Sequence, residues 1–140
     1  MFVMDTSKIV DVLVEAKRLL NVGPNSWIKW KGWDGNGGYC ALGATYTATA
    51  ASKYPVSINQ EANRYLDNAA VKVAEELGRP LKTADNDSAR GDRQGRPDAP
   101  YFNNTAESIE EVNKMFCEAI EKAAEDQVRE EEAHGETRDR

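Results

Sequence analysis

The chain has 140 residues, 40% of them hydrophobic, which suits one modest core and leaves little room for two domains. Its net charge is −6, but seven acids and three bases fall between Glu125 and Arg140, so the remainder is close to neutral. Nucleic-acid binding, which needs clustered lysine and arginine, is not expected, and no apolar run reaches the roughly 18 residues of a membrane span.

A first helix is predicted around Ile9, Leu13, Ala16 and Leu20, which recur at helical spacing, with Val10 and Val14 widening the stripe. Asp5, Thr6 or Ser7 can cap its start, and Gly23-Pro24 ends it. The segment Trp27-Ile28-Lys29-Trp30-Lys31-Gly32-Trp33 alternates like a short strand, and Asp34-Gly35-Asn36-Gly37-Gly38 is a turn signal. A hairpin or an Ω-like loop would satisfy both.

The second helix is expected from about Cys40 to Ser52. It is built of small residues, and Gly43 within it implies close approach of another backbone. Tyr54-Pro55 breaks it. Ser57-Ile58-Asn59-Gln60 reads as a capping box opening a third helix, with Ala62, Tyr65 or Leu66, Ala69, Val73 and Leu77 on its apolar face. Gly78 and Pro80 close it. From about 82 to 100 the chain is polar and reads as a mobile loop or insertion. The last helix opens at a Ser108–Glu111 capping box and turns Ile109, Val112, Phe116, Ala119, Ile120 and Ala123 inward.

The expected fold class is therefore mainly α. It is a small antiparallel helical bundle of about four helices, with a Trp-rich hairpin or loop between helices 1 and 2. One domain covers 1–128, and 129–140 is expected to be a disordered acidic tail.

Several short patterns suggest chemistry, and each meets an obstacle. Gly38 to Thr45 has the glycine spacing of a phosphate-binding loop, but Ala44 stands where the lysine belongs, Ala41, Leu42 and Ala44 read as helix, and no βαβ unit surrounds it. The amides of Gly37 and Gly38, just before a helix, could hold an anion, or the glycines could simply make a tight turn. Cys40 near a helix start could be a nucleophile, but the single histidine, His134, lies in the acidic tail, so no base for a Cys-His pair is at hand. A structural Cys40 would be buried among alanines. Trp27, Lys29, Lys31 and Trp33 would share one face of an extended strand and form a stacking platform; alternatively the tryptophans cover the bundle and the lysines reach past them. Asp85-Asn86-Asp87 starts like a calcium loop, but Arg90 stands in the glycine position and Ala89 where an oxygen ligand belongs. Arg90-Gly91-Asp92 matches an adhesion tripeptide by chance. No Ser/His/Asp set, zinc spacing or carboxylate pair is legible. No cofactor and no metal are expected.

Taken together, Trp27, Cys40-Ala41-Leu42-Gly43-Ala44, Phe102-Asn103-Asn104 and Ala119-Ile120 resemble the pattern of a family of small proteins of unknown function, common in actinobacteria and their bacteriophages. The resemblance covers roughly residues 8 to 124. It implies the same helical order and a phage or actinobacterial origin, and it implies no activity. Asn104 replaces the Asp usual in that pattern, and the polar stretch before Phe102 is longer than usual.

The resulting expectation is a non-enzymatic cytoplasmic interaction protein, a phage accessory protein that binds a host protein. The alternative is a small-molecule or nucleotide-binding module using Trp27, Lys29, Trp30, Lys31, Trp33, Gly37, Gly38 and Asn103. A third reading is an enzyme dependent on Cys40. The N-terminus is too polar for a secretion signal, and two cysteines without metal spacing suit a reducing cytoplasm. If the resemblance marks one packed cluster, Trp27, Cys40, Phe102 and Asn103 should meet in space, with Asn103 bonded to backbone near the Trp segment.

Overall fold

The computed structural model of the chain describes residues 6–29, 32–79, 81 and 98–138, and of 133–138 the backbone alone. Five helices lie among the described residues: α1 (Thr6–Leu20), α2 (Ala41–Ala51), α3 (Val56–Glu76), α4 (Asp98–Thr105) and α5 (Ile109–Arg138). The expected Asp5 cap, Trp30, Lys31, Pro80 and the segment 82–97, with its calcium-like and adhesion-like tripeptides, lie outside the described residues.

α5 runs antiparallel to both helices that it packs against along its length, so α1 and α3 share one direction rather than alternating as expected. Thr6 Oγ1 donates to Glu130 Oε2 at 2.6 Å and the Asn21 and Asn113 amides pair at 2.8 and 3.1 Å, so α1 and α5 run in opposite directions. Tyr65 bonds Asp126, Lys72 bonds Glu118 and Arg79 bonds Glu111, so α3 also runs against α5. Between these helices Ile9, Leu13, Leu66, Val112, Met115 and Phe116 are fully or almost fully buried. Met115 joins this core although its position was not singled out in the sequence. Val14, expected to widen the stripe of α1, is instead half exposed, on the wall of an open groove that it shares with Cys117 and Ile120 of α5.

The helix ends show how the sequence sets the connections. At the end of α2 the Tyr54 amide reaches Thr49 O and the Lys53 amide reaches Ala50 O, with Lys53 at φ +60°. α3 ends the same way, with Arg79 to Ala74 O, Gly78 to Glu75 O and Gly78 at φ +76°. The capping box expected at Ser57 does not form. Pro55 takes the cap position in extended geometry with no side-chain bond, so the helix starts ahead of Ser57. Ahead of α5, Glu111 folds back onto the Glu107 amide at 2.9 Å rather than onto Ser108.

Two further expectations are corrected. Residues 98–100, assigned to a polar loop, begin α4, whose buried Ala99, Phe102 and Asn103 face the bundle. Residues 129–138, expected to be disordered, continue α5 as helix. No helix among the described residues is long and apolar enough to cross a membrane.

Candidate functional site

The chain between α1 and α2 forms no continuous strand among the described residues. Two isolated bridges, Trp27 with Tyr39 in parallel and Trp33 with Tyr39 in antiparallel sense, stand where a hairpin or an Ω-like loop was expected, and no regular hairpin forms among the described residues. The Tyr39 amide donates to Ser26 O at 2.9 Å and the Ile28 amide to Tyr39 O at 3.0 Å, so the chain loops out and returns beside its own start. A shared strand face for Trp27 and Trp33 therefore does not exist. Trp27 is half-buried against the core, whereas Trp33 is 63% exposed. The Lys29 ammonium lies 5.6 Å from the centre of the Trp27 ring and covers its outer side.

Asn103, on α4, ties this loop to α2. It is fully buried. Its Oδ1 accepts from Trp27 Nε1 at 2.8 Å and from the Ala41 amide at 3.1 Å. Its Nδ2 donates to Ile28 O at 3.1 Å and to Asn104 Oδ1 at 3.3 Å. An amide side chain offers two acceptor sites and two donors, and all four are in use. The aspartate usual at position 104 in the resembling pattern would accept the same bond. Trp27, Cys40, Phe102 and Asn103 thus meet in space as the motif spacing implied.

The glycines of the turn have the same internal character. Asp34 Oδ1 accepts from the Asn36 amide at 2.8 Å and from the Gly38 amide at 2.9 Å. The concavity proposed for an anion is filled at Gly38 by the chain's own carboxylate. Gly38 is buried, and a Cβ there would lie 2.6 Å from Asp34 Oδ2 and 2.9 Å from Asn25 O. Gly37 needs its freedom for another reason, a φ of +89°.

Cys40 is the N-cap of α2, with Sγ accepting from the Gly43 amide at 3.4 Å. It is half-buried, not enclosed among alanines as expected, because the cap position stands at the end of the helix rather than on its packed face. The other thiol, Cys117, is exposed. The first turn of α2 has therefore committed its Ala41 amide to Asn103 and its Gly43 amide to Cys40. Thr45, in the hydroxyl position of the phosphate-loop pattern, is buried and lies 2.9 Å from Asn63 Oδ1. No group of three or more metal-ligating side chains occurs among the described residues.

One feature escaped the sequence reading: a carboxylate pair. Asp67 Oδ1, on α3, accepts from the Ala99 amide in the first turn of α4 at 2.8 Å, and buried Asp98 stands beside it. Thirty-one residues separate the two in sequence, and no local signal announces that α4 docks its first turn on α3. Burial pushes the Asp67 carboxyl up to about 6; the bond from Ala99 opposes the rise and the charge of Asp98 adds to it.

A raised folded-state value means that the fold holds a proton that the unfolded chain, titrating near 4, releases. This group's contribution is thus most favourable below about pH 4 and is lost as pH rises through 6. Asp67→Asn keeps the acceptor for Ala99 and removes the charge. Urea unfolding of the variant at pH 7 should show a gain of about 1 kcal/mol after allowance for solvent screening. Its stability between pH 4 and 6 should rise relative to wild type as pH increases; parallel profiles would refute this assignment.

Residues 4–122 match a family of unknown function, DUF6197. The chain belongs to that family. The matched span takes in α1 to α4, the Asn103 contacts and the first half of α5. No curated protein and no solved structure matches the chain. Within the family match, Trp27, Cys40 and Asn103 are held chiefly by one another and by backbone, which gives them an architectural role whatever else they do.

Proposed function

We propose that the chain is a non-enzymatic interaction protein, a phage accessory protein that binds a host protein in the host cytoplasm through the surface around Trp33 and Tyr46. The observation that carries this reading is the complete internal use of Asn103's hydrogen bonds, which leaves the most motif-like residues nothing to offer a substrate. What they do instead is hold a loop rigidly against α2, with Trp33 standing clear of it.

Trp33 directly follows Gly32, whose backbone touches Gly43. Tyr46 lies one turn beyond Gly43 on the same side of α2 and is 62% exposed. Two large rings on a fixed backbone are the usual anchors of a protein interface, because they bury much area for little lost side-chain freedom. Two cysteines left as free thiols support a reducing compartment. The ligand-binding alternative gains no such support, since Asn103 and the Gly38 amide are already bonded. The Cys40 reading lacks a base, since Asp34 serves the glycine turn.

The test is capture from the native host with wild type and Trp33→Ala side by side. Wild type should enrich a specific host protein, and Trp33→Ala should lose it at least tenfold, the loss expected for a central interface aromatic, while melting at the same temperature. Equal recovery by the variant would refute the assignment of this surface.

A further inference from the structure

We infer that α4 is a proton-sensitive latch: ionisation of the Asp67 carboxyl loosens the first turn of α4 from α3, and Asn103 passes that release to the loop that carries Trp33. α4 has eight residues, too few for a helix to persist on its own, so its place depends on what holds it. At its start the Ala99 amide donates to Asp67 Oδ1 at 2.8 Å, and at its end Thr105 O accepts from Arg79 Nη1 at 3.4 Å. Asp67 is on α3 and Arg79 lies just past its end. From the middle of α4, Asn103 reaches the other way, to Trp27, Ile28 O and the Ala41 amide. The loop has no ladder of its own among the described residues, since its two bridges are isolated. α4 is thus the link between α3 and the loop.

The arrangement of charges puts the sensitive group at the start of α4. Asp98 is buried beside Asp67. On α3 itself Arg64, one turn from Asp67, is exposed and pairs with Glu61 at 3.5 Å. α2, which packs on both α3 and α4, has no charged residue from Ala41 to Ala51. In the loop the Lys29 ammonium lies over the Trp27 ring, and Arg79 stands at the opposite end of α4 with Glu107 and Glu111. Among the described residues, the charge that bears on Asp67 is therefore that of Asp98, which repels its ionised form. The Ala99 amide favours the ionised form, but burial and Asp98 outweigh it. Two ionised carboxylates there need water. α3 cannot admit it by moving, because Leu66, Ala69, Ala70 and Val73 are buried in the core. α4 can, because its withdrawal uncovers the pair while the core stays closed. Short elements held by few bonds open before the whole chain does.

The latch is a property of the free chain, so it stands or falls apart from any partner of Trp33. The experiment is amide hydrogen exchange followed by NMR on the full chain at about pH 5 and pH 8, corrected for the intrinsic exchange rate at each pH. The bonded amides of Ala99, Ala41, Tyr39 and Cys40 should share one protection factor and one urea slope. Both should be smaller than for Leu13 and Phe116 in the buried core, which marks a single local opening. The shared protection should fall about three- to tenfold from pH 5 to pH 8, the direction required of a carboxyl whose proton the fold holds. Asp67→Asn keeps the acceptor for Ala99 and carries no charge, so it should flatten that fall. Loop amides that stay protected while Ala99 opens would overturn the coupling through Asn103. Wild-type protection that ignores pH, or a fall that survives in Asp67→Asn, would overturn the assignment of the proton.

Discussion

Asn103→Ala should cost roughly 4 kcal/mol of stability, a large part of what a domain of this size possesses. The substitution removes an acceptor from the Trp27 indole and the Ala41 amide, and a donor from Ile28 O. Each group sits at a packed junction, and a buried polar group left without its partner costs about 1 to 3 kcal/mol. The methyl of alanine also leaves a cavity at a fully buried site. Asn103→Asp separates the two halves of the effect. It keeps the acceptor for Trp27 and Ala41, loses the donor to Ile28, and buries a charge next to Asn104 Oδ1. Both variants should melt at least about 10 °C below wild type, given a few degrees per kcal/mol at this length. Indole fluorescence should shift to the red as Trp27 is released to water. A variant that melts within a few degrees of wild type would show that the loop is held by its apolar contacts alone.

The same junction explains what the sequence made legible. α1 and α2 were readable because both signals are local: an apolar stripe ending at Gly23-Pro24, and a small-residue run broken at Tyr54-Pro55. The meeting of Trp27 and Asn103 was readable for a different reason, since residues far apart in a family pattern must be brought together by something. α4 was not readable. Its eight residues Asp-Ala-Pro-Tyr-Phe-Asn-Asn-Thr contain two asparagines and a β-branched threonine, poor helix formers, while Pro100 is tolerated because it falls in the first turn; the helix is held by packing on α3, whose Asp67 accepts from its first-turn Ala99 amide. Tertiary contact outweighs propensity there. The strand-like alternation of 27–33 misled for the converse reason. The pattern is real, but Gly32 must reach Gly43 and Tyr39 must return to Ser26, and a regular hairpin would prevent both. Ser57 was misread because Pro55 already sets the backbone that a capping side chain would otherwise select.

Gly43→Ala sets a local preference against a tertiary contact, and the magnitudes decide between them. Alanine is the better helix former by about 1 kcal/mol, so propensity alone predicts a more stable α2. The contact predicts the opposite. A Cβ on Gly43 would fall 1.8 Å from Gly32 O and 2.6 Å from Gly32 C, both backbone atoms with no rotamer to change. Contact distances between carbon and oxygen lie well above 3 Å, so the loop or the helix has to move by more than an ångström. Gly32 O also accepts from the Cys40 amide at 3.3 Å, so the movement breaks the bond that brings the loop onto the start of α2. Overpacking of this kind costs about 3 kcal/mol, which exceeds the propensity gain and leaves a net loss of roughly 2. The partner glycine supplies the control. A Cβ on Gly32 meets nothing nearer than Gly43 Cα at 3.9 Å, so Gly32→Ala should be close to neutral although it alters the same contact from the other side. Denaturant midpoints for the two variants should therefore separate clearly, with Gly43→Ala well below wild type and Gly32→Ala near it. Because Trp33 is carried by this contact, Gly43→Ala should also weaken partner capture, while Gly32→Ala should leave it intact. A Gly43→Ala protein as stable as wild type would mean that the loop rests on α2 without being fixed there.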